Sequence, residues 1–341
     1  MIPVFEPSAL LAVKELINNA KQITITTHHK PDGDALGASL ALCNYLKAMG
    51  RNATVVVPSE FPDFLSWMKG SREVIDFIRS PKIATEQLNK SDLIFCLDFN
   101  DPRRVEKMQT ALMQTTAPKI LMDHHLHPVD FCNYTFSFPE ACATAEIIYH
   151  FFIALGGEKL IDADIAECLY AGIMTDSGNF RFASVTPETH RVAAALITYG
   201  ARHFKVHEWV YDSFSLIRLK FLGFCLKDKL TAVLGMNTAY VAVTKAEMDA
   251  YQHKPGDLEG VVNYALSIKG IRMAALFSEG DGIVKISFRS KDLFSVKDLA
   301  EKYFEGGGHL NAAGGKSKLS LNDTVAKFLE VLSYYKEELT A

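Results

Sequence analysis

The sequence predicts an α/β protein: an N-terminal parallel sheet with helices on both faces, a helical linker and a smaller α+β domain at the C-terminal end. Three observations predict it. Short β-branched runs alternate with helical patterns through the first third of the chain; residues 143 to about 226 are mostly helical in pattern; and beyond 228 two hairpin patterns flank a short helix. The early strands are apolar throughout, without alternation, as a sheet covered on both faces requires. The expected domains are 1–200, a linker over 201–227, and 228–341.

Taken in order, "QITITT" (22–27) reads as a strand, and "DALGASLALCNYLKAMG" (34–50) as a helix with Asp34 at its N-cap and Gly50 past its end. "ATVVV" (53–57), "DLIFCLDF" (92–99) and "KILM" (119–122) are further strands, the last two separated by a helical pattern around 103–114. "ATAEIIYHFFIALGG" (143–157) opens the helical region, which leads to "GIMTDSGNFRF" (172–182) and continues after "TPETHRVAAALITYGA". "LTAVLGMNTAYVAVT" then reads as a hairpin, followed by a helix near 257–268 and a second hairpin turning at Glu279–Gly282. The tail after 325 reads as an amphipathic helix.

With 341 residues, 48% hydrophobic and 22% charged, the chain has the composition of an ordinary globular protein. A net charge of −4 argues against binding long nucleic acid, which needs a basic face, but leaves room for a small anionic substrate in a local site. The six cysteines form no C-x-x-C pair and several sit in apolar segments, as reduced core residues do. The N-terminal stretch has no basic leader and no apolar run reaches transmembrane length, so a cytoplasmic protein without membrane contact is expected.

In open parallel sheets, ligands bind beyond the carboxyl ends of the strands. After "QITITT" come His28, His29, Asp32 and Asp34; after "DLIFCL" comes Asp98; after "KILM" come Asp123, His124 and His125. Asp176, in "MTDSGNF", follows a helical stretch. Singly, each has an ordinary explanation: a helix cap, a turn former, a solvated loop histidine. Together they deliver several carboxylates to one edge, and such a convergence is repulsive unless cations neutralise it. Carboxylates and imidazoles without thiolate suit Mn²⁺, Mg²⁺, Fe²⁺ or Co²⁺. Six or so ligands fit two ions sharing one aspartate better than a single ion.

"HHKPDGDA", "LDFND", "MDHHLHP" and "IMTDSGNFRF" resemble, in matching order, the four motifs of the DHH phosphoesterases. "FRSK" (288–291) and "GGGHLNAAGG" (306–315) resemble the DHH-associated C-terminal domain, and the pattern is most similar to the nanoRNase branch. The resemblance implies that His28 and Asp32 bind one metal, that Asp34, His124 and Asp176 bind the other, and that Asp98 bridges the two. It implies that His125 faces the substrate phosphate and that Asp123 orients the histidines from behind. An arginine beyond the bridging aspartate is also implied; Arg103 and Arg104 are both available, with Arg104 the better fit to the spacing. In the C-terminal domain, Arg289 and the Gly307-Gly308-His309 segment would hold the far end of the substrate, with glycine backbone N–H groups near a phosphate. His29 has no role in the pattern and is read as structural.

The resemblance thus implies two divalent ions, Mn²⁺ first with Mg²⁺ or Co²⁺ as alternatives, and hydrolysis of short oligoribonucleotides and of 3′-phosphoadenosine 5′-phosphate (pAp). It is compatible with a homodimer. Two other enzyme readings stand beside it: a pyrophosphatase or exopolyphosphatase, and a phosphodiesterase for the linear dinucleotides pApA and pGpG. A non-catalytic nucleotide-binding module would be expected to have lost at least one ligand, and none is missing. His203 and His207, four apart, lack a carboxylate cluster and are read as solvated or packing residues, and the Trp of "FPDFLSWMKG" as part of the core or of a surface lid.

Overall fold

A computed structural model describes residues 2–254 and 256–340, with the side chain of His309 outside the described set. The chain divides into two compact units, Met1–Ser213 and Phe214–Ala341.

The first unit is built on six strands: β1 (Ile23–Thr26), β2 (Ala53–Val57), β3 (Ile75–Asp76), β4 (Leu93–Leu97), β5 (Lys119–Asp123) and β6 (Tyr134–Ser137). They lie in the order β3-β2-β1-β4-β5-β6, and every pairing is parallel. The chain builds outward from β1 in one direction, then returns to build β4 onward in the other. The order therefore reverses between β1 and β4, where a parallel sheet opens a crevice at its carboxyl edge. Neither β3 nor β6 is apparent in the sequence. β3 has only two residues, and β6 carries the mixed side chains of an edge strand.

Side chains along each strand split between two cores, which explains the unbroken apolar runs. Leu93, Phe95 and Leu97 of β4 join one core with the helices Pro7–Asn19, Gly33–Ala48, Thr144–Ala154 and Ala163–Asp176. Ile94 and Cys96 join the opposite core with Ala84 and Leu88 of the helix Pro81–Asn89 and Leu112 of the helix Gln109–Gln114. Helices thus cover both faces, as the sequence predicts.

The second unit holds a mixed sheet of β7 (Leu230–Val233), β8 (Thr238–Val243), β9 (Met273–Glu279), β10 (Val284–Ser290), β11 (Gly307–His309) and β12 (Ala312–Ser317). Its order is β11-β12-β10-β9-β8-β7, antiparallel except for β8 with β9. Both predicted hairpins form. The helix Leu321–Ser333 packs one face of this sheet through Phe328, Val331 and Leu332, and the helix Val261–Leu266 packs the other through Val261, Val262 and Ala265. The glycine-rich segment forms a hairpin, because small residues let β11 lie close on β12. A Cβ at Gly306 would stand 2.0 Å from the Gly314 carbonyl oxygen, and one at Gly308 2.5 Å from that of Ala312. Among the described residues no helix is long and apolar enough to cross a membrane.

Candidate metal centre

The loop after β1 runs directly into the helix Gly33–Ala48, and Asp32, not Asp34, is its N-cap. One Asp32 oxygen accepts the Asp34 and Ala35 amides, both at 3.0 Å; the other points at His28 Nε2, 3.8 Å away. A cap thus leaves half of its carboxylate for other work. Asp34 stands one residue into the first turn, fully buried, and its two oxygens accept the backbone amides of Thr144 at 2.6 Å and Ala145 at 2.8 Å.

Asp98 follows β4 with φ of 64°, in the left-handed region that asparagine and aspartate enter more readily than other side chains. Its amide is held by the Met122 carbonyl of β5 at 3.1 Å. The carboxylate presents one oxygen to each side: Oδ2 lies 3.4 Å from His28 Nε2, and Oδ1 lies 3.5 Å from His124 Nε2 and 3.7 Å from His125 Nδ1. His124 Nε2 is also 3.5 Å from Asp176 Oδ2, at the end of the helix Ala163–Asp176.

These side chains fall into sets able to enclose an ion: His28, Asp32 and Asp98; Asp34, His124 and Asp176; and Asp98, His124 and His125. Asp98 links the first set to the histidines of the others. The rings of His28 and His124 are oriented alike. Nδ1 of His28 meets the His29 carbonyl at 2.9 Å, and Nδ1 of His124 meets the Ala141 carbonyl at 3.4 Å, so Nε2 is the nitrogen turned to the carboxylates in each. Asp123, wholly buried, holds His125 through Nδ1 at 2.7 Å and through its amide at 3.0 Å. Asp123 is thus placed to orient His125, and the His124 ring meets a backbone carbonyl, that of Ala141.

The charges show what the pocket accommodates. Burial pushes the Asp34 carboxyl well above its usual range, and the charges of Asp98 and Asp176 add to the rise. Asp176 rises likewise, by burial and then by Asp32 and Asp98. Burial would lower the His28 imidazole, but its hydrogen bond to Asp98 and the charges of Asp32 and Asp98 outweigh this and raise it to about 9. Burial would raise Asp98, but the His28 hydrogen bond and the three histidines hold it well below the ordinary carboxylate range. Four carboxylates in one small, mostly buried space are self-repelling, and divalent cations among them would relieve the repulsion. The donor set fits such ions.

Arg103 and Arg104 part company here. Arg103 is on the surface, bound to Asp101. Arg104 lends its carbonyl to the His29 amide at 2.8 Å, and its Nη1 is buried with no hydrogen-bond partner among the described residues. Its charge acts on His28. The spacing favours Arg104 without separating the two; the difference arises from the turn that leaves Arg103 exposed and half-buries Arg104. His29 bonds to Arg104 through its amide and approaches Glu106 at 3.5 Å, a packing role. His207 Nε2 lies 3.4 Å from the Tyr170 hydroxyl, and Trp67 packs against Trp209 with ring centroids 4.5 Å apart and planes tilted by 31°, contacts of packing residues.

In the second unit, Arg289 on β10 is largely buried, and its Nη1 donates to the Phe288 carbonyl at 2.9 Å; burial lowers its pKa. Arg289 and His309 are each in register with Ala312, on opposite sides of β12. The His309 side chain lies outside the described residues. Gly307 and Gly308 are on β11, the edge strand, which pairs on one side only. Sequence reasoning missed Thr144. Its hydroxyl donates to Asp98 Oδ1 at 2.9 Å, and a threonine opening a helix gives no sign of a partner 46 residues away.

A reversing parallel sheet with paired histidine–aspartate sets at its carboxyl edge, followed by a mixed-sheet domain, defines a phosphoesterase of the DHH class. Residues 22–173 match the DHH family, N-terminal domain, and residues 237–338 match the DHHA1 domain; the chain belongs to this family. Its relatives include the bifunctional oligoribonuclease and PAP phosphatase NrnA of Thermus thermophilus, 32% identical over 93% of this chain and 90% of that one. The cyclic-di-AMP phosphodiesterase PdeA of Listeria monocytogenes is 25% identical over 96% of this chain and 50% of its own length. The crystal structure of an exopolyphosphatase-related protein from Bacteroides fragilis superposes with a TM-score of 0.97 at 34% identity, covering all of both chains. DHH phosphoesterases depend on divalent metal, and the clusters described here have the donors for it.

Proposed function

We propose that this protein hydrolyses short oligoribonucleotides to 5′-mononucleotides and dephosphorylates pAp to AMP. The observation that carries the reading is Asp98, whose two oxygens face the histidines of different metal-binding sets. Its similarity across the whole chain to NrnA of Thermus thermophilus supports the choice of substrate.

His28, Asp32 and Asp98 would hold one ion and Asp34, His124, Asp176 and Asp98 the other; the mixed carboxylate and imidazole donors suit Mn²⁺, with Mg²⁺ or Co²⁺ as alternatives. Bound together, two such ions lower the pKa of water towards neutrality and draw charge from the phosphoryl oxygens. Asp123 fixes the His125 ring, which then stabilises charge on the phosphate without rearranging during the reaction. Arg104 supplies a guanidinium whose buried nitrogen needs an acceptor, which a substrate phosphate provides. Arg289 and the Gly307–His309 strand would supply substrate contacts from the second unit: an edge strand leaves a row of unpaired amides. The same reading makes the protein cytoplasmic and compatible with a homodimer.

Similarity to a cyclic-di-AMP phosphodiesterase motivates a second substrate class, linear dinucleotides such as pApA and pGpG. The test is to incubate the protein and Mn²⁺ with a ribotrinucleotide, pAp, pApA and pyrophosphate, following each by chromatography. Loss of the trinucleotide and pAp with pyrophosphate intact is expected. Loss of pApA alone would favour the second reading, and loss of pyrophosphate alone would overturn both.

A further inference from the structure

We propose that Thr144 is a positioning residue that fixes the bridging carboxylate Asp98 and the metal-facing carboxylate Asp34 relative to each other. This role rests on the two-ion reading above. Thr144 opens the helix Thr144–Ala154 and is fully buried. A threonine at a helix start ordinarily turns its hydroxyl onto the free amides of its own first turn. Here the N-cap is Ala143, with no side-chain cap bond, and the first two helical amides are satisfied by Asp34, which lies 110 residues upstream of Thr144. That releases the Thr144 hydroxyl, which reaches Asp98 Oδ1 at 2.9 Å. One residue therefore touches two carboxylates, through its amide and its hydroxyl.

The hydroxyl differs from the other groups around Asp98. His28 and His124 approach Asp98 with Nε2, the nitrogen that offers its lone pair to an ion, so neither can hold Asp98 by a proton once a metal is bound. The Thr144 proton has no such competing duty. A carboxylate oxygen has two lone pairs, so Oδ1 can accept this bond and still face an ion. Asp98 needs a restraint of this kind, because its left-handed backbone persists only where its surroundings over-determine it.

The test compares the wild type with Thr144→Val and Thr144→Ser. Valine keeps the amide, the β-branch and the volume but lacks the hydroxyl; serine keeps the hydroxyl. Mn²⁺ uptake is measured by calorimetry, and the exchange-coupled signal of the ion pair by electron paramagnetic resonance. The Val variant is expected to bind Mn²⁺ about 10-fold more weakly or worse, as loss of an outer hydrogen-bond partner does, with an altered coupled signal. The Ser variant should recover wild-type behaviour. Thermal unfolding of the metal-free proteins separates this from loss of fold, and Thr144→Ala carries the comparison if the Val variant does not fold. A Val variant with wild-type affinity and an unchanged spectrum, or a Ser variant that behaves like it, overturns the proposal. A wild type that takes up fewer than two ions overturns the two-ion reading and this role together.

Discussion

Asp98 sits in a backbone conformation that costs a non-glycine residue of order 1 kcal/mol or more, and with it each carboxylate oxygen faces a different histidine. Asparagine keeps the shape and the turn preference but loses the charge and one acceptor. Asp98→Asn should lower turnover by about 100-fold or more, since direct ligands matter at least as much as the partners behind them; single-turnover hydrolysis of pAp checks it, and retained activity would sink the bridging role. The two neighbouring arginines make a sharper comparison. Arg104 has a buried nitrogen without a partner among the described residues, whereas Arg103 is committed to Asp101 on the surface. A charge-assisted hydrogen bond contributes about 1.5–3 kcal/mol, so Arg104→Ala should raise KM for pAp roughly 10-fold or more. Arg103→Ala should leave KM within about 2-fold, as an exposed pair contributes little. Equal effects would mean that the buried guanidinium is not the substrate's partner.

The metal-facing residues meet because three helices approach more closely than side chains usually permit. A Cβ at Gly37, in the helix Gly33–Ala48, would stand 2.5 Å from the Cys168 carbonyl oxygen in the helix Ala163–Asp176. One at Gly172 would stand 2.7 Å from the Ala145 Cβ and 2.9 Å from Asp34 Oδ1. Gly172→Ala should therefore destabilise by about 1–3 kcal/mol, the cost of overpacking, and weaken Mn²⁺ uptake by displacing Asp34. Gly223→Ala, in a helix with open space around that position, should be neutral or slightly stabilising. Denaturant titration of the pair checks both signs. These contacts also mark how far the sequence could be read. The apolar strands and the acid and imidazole groups at their ends are local patterns, so β1, β2, β4 and β5 and the candidate ligands are all legible. The cap is not, because Asp32 and Asp34 are both plausible residues for it and only the local backbone decides between them. Thr144 is illegible for a different reason: its role depends on which helix starts beside which strand end, a tertiary fact with no local signature.

At the scale of the molecule, the clustered carboxylates should make the first unit the one whose stability responds to ions. Without cations, Asp34, Asp98 and Asp176 face one another at the edge of a buried sheet, and burial with mutual repulsion pushes Asp34 and Asp176 towards their protonated forms. An ion that binds only the folded chain stabilises it by about 2.7 kcal/mol at 100 times its dissociation constant. For a domain of 150–250 residues each kcal/mol shifts Tm by roughly 2–4 °C, so one ion at that excess should raise Tm by about 5–11 °C, and a second should add to it. Chelation with EDTA should reverse the shift, and Ca²⁺ should restore it less well than Mn²⁺, because the imidazole donors suit a transition ion better than calcium. Hydrogen exchange locates the effect. The amides of Asp98, Thr144 and Ala145, which line the candidate centre, should gain protection on Mn²⁺ addition, while those of β9 and β10 in the second unit should change little. Equal gains in both units would show that the ions act through something other than the carboxylates of the first sheet.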